Sequence, residues 1–113
     1  MSARREAALW VAQRATAVVL AACVAVHLVT IVLAVRGGLS AAEILARTQG
    51  NFAWGAFYGV FVVAAAVHGA IGLRTVASEW LRFRGPAAEV AMAVIAFALI
   101  VLGLRGITAV VST

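Results

Sequence analysis

Long apolar runs alternate with short polar stretches along the chain. The runs cover about Leu9–Val35, Phe52–Val76 and Ala88–Val111. Each exceeds the ~20 residues that an α-helix needs to cross ~30 Å of hydrocarbon at ~1.5 Å per residue. Hydrocarbon offers no partner to backbone polar groups, so a spanning segment must close its hydrogen bonds within itself. The pattern predicts an all-α membrane protein, with three transmembrane helices in a single domain over residues 1–113. No internal repeat or low-complexity tract interrupts it.

The connections carry their own signals. Gly37 and Gly38 end the first run. Ser40 followed by Glu43 has the spacing of a capping box. Ile44 and Leu45 add an amphipathic turn that closes at Gly50. These predict a short interfacial helix over about 40–48. The second connection, "SEWLRFRGP", ends at Gly85-Pro86, and Pro86 suits the first turn of the third helix. Trp10, Trp54 and Trp80 fall near the ends of the runs, where an aromatic belt would lie.

Composition agrees with a membrane location. Hydrophobic residues make up 65% of the chain and charged residues 12%, with a mean hydropathy of +1.11. Soluble domains carry about 25% charge. All nine basic residues are arginine, and the net charge is +5. These arginines sit at the ends of apolar runs, which marks membrane interfaces and argues against a nucleic-acid surface. Arg4, Arg5, Arg14, Arg74, Arg82 and Arg84 fall on one side. Arg36, Arg47 and Arg105 fall on the other. The asymmetry predicts a cytoplasmic N-terminus and a cytoplasmic second loop, in a bacterial inner membrane. "MSARREAALW" has a basic start but no small-residue cleavage site, so the first run is expected to be retained. Cys23 lies inside an apolar run and reads as a buried structural thiol.

Titratable groups inside hydrocarbon are costly, and they point to function by default. His68 lies six residues before Arg74, about 9 Å deeper along a helix. His27 lies nine residues before Arg36, about 13 Å from the opposite end of its span. Small residues surround His68: Ala64, Ala65, Gly69 and Gly72. Such residues permit close helix packing, and a flat macrocycle would need the same clearance. Thr75 and Glu79 fall within about 20° of His68 around the helix. A heme b on His68 could therefore send its propionates toward Arg14 and Arg74, since guanidinium forks pair well with carboxylates. The plainer reading is that each histidine hydrogen-bonds a neighbouring helix and that the arginines snorkel to the interface. No cysteine cluster, nucleophile constellation, phosphate loop or carboxylate pair suggests other chemistry.

Two stretches taken together are more specific. "QRATAVVLAACVAVHL" in the first helix and "HGAIGLRTVASEW" in the second resemble the membrane-anchor cytochrome b subunits of succinate dehydrogenase and fumarate reductase, over nearly the whole chain. The resemblance implies that His68 is the axial ligand of heme b. It places Arg14, Glu79 and Trp80 at a quinone pocket, with Arg14 also near the heme propionates. Where the family has aspartate and tyrosine, this chain has Glu79 and Trp80, so a carboxylate is kept and a phenol is replaced by an indole N–H. His27, thirteen residues after Arg14, matches the histidine that two-heme members use for a second heme. The chain offers one imidazole at each depth, so a second anchor chain, or a second copy, would complete the heme-binding bundle. Iron–sulfur and flavoprotein subunits would dock on the cytoplasmic face, and electrons would reach membrane quinone through this subunit. The dicarboxylate chemistry would belong to the flavoprotein. The competing class is a heme-free structural or proton-transport membrane protein, in which His27 and His68 serve packing or proton relay.

Overall fold

The computed structural model describes residues 2–112. They form four α-helices: α1 (Ala3–Arg36), α2 (Ala41–Thr48), α3 (Phe52–Trp80) and α4 (Pro86–Val111). α1, α3 and α4 are each long and apolar enough to cross a membrane. No strand occurs among the described residues.

Two helices run further than their apolar patterns. α1 begins at Ala3 instead of about Leu9. Ser2 caps it by accepting a hydrogen bond from the Arg5 amide at 3.2 Å, and the alanine, arginine and glutamate that follow favour helix. α3 continues past Val76 to Trp80, so Glu79 and Trp80 belong to the helix and not to the loop. The turn after it uses the left-handed region at Arg82 and Gly85, with φ of 55° and 93°. Pro86 then opens α4, where its missing N–H costs nothing.

α3 is the central element, packed on α1 and on α4. Its buried residues are Ala64, Ala66, Ala70 and Ile71. Small side chains let neighbouring helices approach closely. A Cβ on Gly69 would meet Leu99 of α4 at 3.8 Å, and one on Gly72 would meet Gln13 of α1 at 3.5 Å. The glycines around His68 thus divide between two neighbours. Gly103 of α4 sits against Val62, and a Cβ there would come within 2.8 Å of Val62 Cγ2. Cys23 is buried, as expected. The outward faces of α1 and α4 are uncovered, with Val18 72% and Phe97 70% exposed.

α2 has the expected capping box. Ser40 Oγ accepts from the Glu43 amide, and Glu43 Oε1 accepts from the Ser40 amide, both at 3.2 Å. The helix lies against the end of α4. Thr48 Oγ1 donates to Val110 O, and the Gly50 amide donates to Val111 O, both at 2.6 Å. Two carbonyls that a helix C-terminus would leave open are thereby satisfied.

Candidate functional site

His68 stands on α3 and looks across to α1. The two helices enclose a cleft of about 760 Å³, whose walls include Trp10, Gln13, Arg14, His68, Gly72 and Arg74. His68 Nδ1 lies 3.3 Å from Thr16 Oγ1 of α1. The Thr16 hydroxyl also donates back to the Ala12 carbonyl at 2.7 Å. A hydroxyl has one proton to give. With that proton on Ala12 O, the contact to His68 is a hydrogen bond only when Nδ1 carries the hydrogen. Nε2 then keeps its lone pair. Histidines that bind metals are commonly held this way, through a donor bond from the other ring nitrogen.

Arg14 lies over the Trp10 ring, 5.3 Å from its centroid. Among the described residues it makes no hydrogen bond or ion pair. Arg74 lies deeper in the protein and is paired. Its Nε donates to Glu89 at 2.8 Å and its Nη2 to Glu6 at 3.2 Å. Arg5 bonds the other oxygen of Glu89 at 2.7 Å. One cluster of charges therefore ties the start of α1 and the start of α4 to α3.

Glu79 is in a different place. It lines a polar recess of about 880 Å³ between the end of α3 and the start of α4, with Arg84, Ser78 and Glu89. Arg74 and Thr75 border both spaces. Trp80 lines neither and is 80% exposed. The cleft thus brings Arg14, His68 and Arg74 together, with Glu79 one recess away and Trp80 on the outer surface.

His27 lies toward the other end of α1. Its Nδ1 is 3.0 Å from the Tyr58 hydroxyl, and its ring meets Tyr58 and Phe61 edge-on at 5.7 Å. It borders a separate cleft of about 610 Å³ with Thr30, Arg47, Asn51, Trp54 and Tyr58. A phenol can donate or accept. The His27–Tyr58 contact therefore admits both tautomers, unlike the contact that holds His68.

Sequence reasoning missed Thr16, Tyr58, Glu6 and Glu89. Thr16 and Tyr58 had a usable signal, being polar groups inside apolar runs. The two acids had only their places in first turns. No group of three or more histidine, cysteine or acidic side chains that could hold a bare metal ion occurs among the described residues. A heme iron asks less of one chain, since an axial position takes one imidazole.

No curated protein and no solved structure matches this chain. The family of succinate dehydrogenase/fumarate reductase transmembrane subunits matches residues 1–105. With three helices long and apolar enough to cross a membrane, the chain is an integral membrane protein and belongs to that family.

Proposed function

We propose that this subunit binds heme b through His68 and carries electrons between an iron–sulfur subunit and membrane quinone. The observation that supports it most is the Thr16–His68 contact, because it leaves Nε2 as a ligand. The cleft beside that imidazole has room for a flat group. Heme there supplies a one-electron carrier. In this chain His68 would hold the iron and Thr16 would hold the imidazole. Arg14, with no carboxylate partner among the described residues, would pair with a propionate; Arg74 is the second candidate. Arg14 and Glu79, with Trp80 at the surface, would bind quinone near the cytoplasmic side. A second anchor chain would bring the other axial ligand and cover the outer faces of α1 and α4. Flavoprotein and iron–sulfur subunits would sit beside the α3–α4 turn, on the cytoplasmic side of a bacterial inner membrane.

The test is a reduced-minus-oxidised spectrum of the purified complex carrying His68→Ala. Heme b should be lost while the chain still inserts in the membrane. A full bis-histidine spectrum in that variant would remove His68 from the ligand set, and a wild-type complex without heme would favour a packing or relay role for both histidines.

His27 is the ligand proposed for a second heme. Ligation through Nε2 requires His27 Nδ1 to donate to the Tyr58 oxygen. Two hemes per flavin, one of them lost in His27→Leu, would support this site. One heme per flavin, unchanged by the substitution, would reduce His27 to the partner of Tyr58.

A further inference from the structure

A quinone that gains two electrons must also gain two protons, and the α1–α3 cleft is poor in groups that can supply them. Arginine stays protonated in proteins, so Arg14 and Arg74 give hydrogen bonds there but no protons. The His68 imidazole has Nδ1 engaged with Thr16, and its Nε2 is the proposed heme ligand. Among the described residues, Glu6 is the one carboxyl group in the wall of this cleft. Glu6 also borders the polar recess between α3 and α4. It thus stands where the two spaces share a wall, with Arg74 and Thr75.

The setting of Glu6 differs from that of the other acids nearby. Its side chain is 54% exposed, so it meets water directly. Arg74 Nη2 donates to its Oε1 at 3.2 Å and fixes it against α3. Glu89 has both oxygens taken by arginines, at 2.7 and 2.8 Å, and is only 19% exposed. Glu79 lines the recess but not the cleft. The other charged groups around Glu6 are Arg5 and Arg14 on its own helix and Arg84 across the recess.

We infer that Glu6 delivers protons for quinone reduction, from the recess into the α1–α3 cleft. The inference rests on the quinone reading above. Each quinone takes two electrons from the iron–sulfur subunit and two protons. In each of two transfers the Glu6 carboxyl gives up its O–H proton toward a quinone oxygen, where a new O–H bond forms. The carboxylate left behind takes a replacement proton from water in the recess. The carboxyl group ends unchanged, and no electron passes through it.

The experiment uses the complete purified complex, with quinone reduction normalised to succinate oxidation by a soluble artificial acceptor. Glu6→Gln keeps an oxygen for Arg74 and removes the transferable proton. It should lower kcat for quinone reduction about 10- to 100-fold, at the low end of what a positioned acid contributes, because water still reaches this exposed position. The quinone KM and the heme spectrum should stay as in wild type. The deficit should widen from about pH 6 to about pH 9, as protons in bulk water become scarcer. Added formate, a small weak acid, should restore much of the rate, and Glu6→Asp should fall between Gln and wild type. A wild-type kcat in assembled Glu6→Gln would overturn the inference. So would a loss that formate does not lift and pH does not change, since Glu6 would then only anchor Arg74. A wild-type complex that lacks heme and does not reduce quinone would instead defeat the functional reading, whatever Glu6 does.

Discussion

Thr16 shows how one hydroxyl can decide the chemistry of a ring on another helix. With its proton on Ala12 O, 2.7 Å away, it accepts from His68 Nδ1. Thr16→Val keeps the shape and removes the acceptor. The imidazole then loses the bond that fixes its tautomer and its rotation. Loss of a bond of this kind commonly weakens metal binding about 10- to 100-fold. Thr16→Val should therefore give complex with reduced heme content on titration, and Thr16→Ser should restore it. Equal heme affinity in both variants would mean that packing alone orients His68. His68 was legible in the sequence because an imidazole in an apolar run stands out. Thr16 was passed over because threonine is common in membrane helices, and its role depends on which helix faces which.

At the scale of elements, the Glu6–Arg74–Glu89–Arg5 cluster joins the start of α1, ahead of its apolar run, to α3 and α4. Arg74 is only 15% exposed and Glu89 19%, so their pairing is less screened than a surface pair. Glu89→Gln should cost about 1–2 kcal/mol, between the values for exposed and buried pairs. It should lower the Tm of the detergent-solubilised complex and leave the heme spectrum alone. An unchanged Tm would show that helix packing holds these ends without the charges. None of this cluster could be read from the sequence. Its members are separated by as many as 84 positions, and apolar periodicity says nothing about such pairings. The caps were legible because Ser40 and Glu43 are neighbours in the chain, as were Gly85 and Pro86.

At the scale of the molecule, three helices long and apolar enough to span a membrane follow from length and hydropathy alone, and the structure has them. Their arrangement does not follow. Apolar residues ring α1 and α4 almost evenly, and only the scattered polar residues Gln13, Thr16 and His27 mark the face of α1 that meets α3. For the same reason the outward faces offer a broad surface to a partner chain. The separate placement of His68 and Glu79 sets a test of the whole electron route. Arg14→Leu and Glu79→Gln should slow quinone reduction more than succinate oxidation by a soluble acceptor. Equal losses in both assays would indicate failed assembly, and no loss in either would remove the two residues from the quinone site. Trp80, exposed in this chain, would need a neighbouring subunit to become part of any pocket.

The junction of α2 with the end of α4 also has a consequence in time. The Gly50 amide is bonded to a carbonyl 61 positions later, at Val111. That bond cannot exist until the last helix has been made and has come back beside the first connection. Solvent exchange at this single amide, in a glycine on a polar connection, therefore reports on closure of the chain. It should be fast in a truncation lacking α4 and slow in the finished subunit, a clock that starts only when the final span is in place.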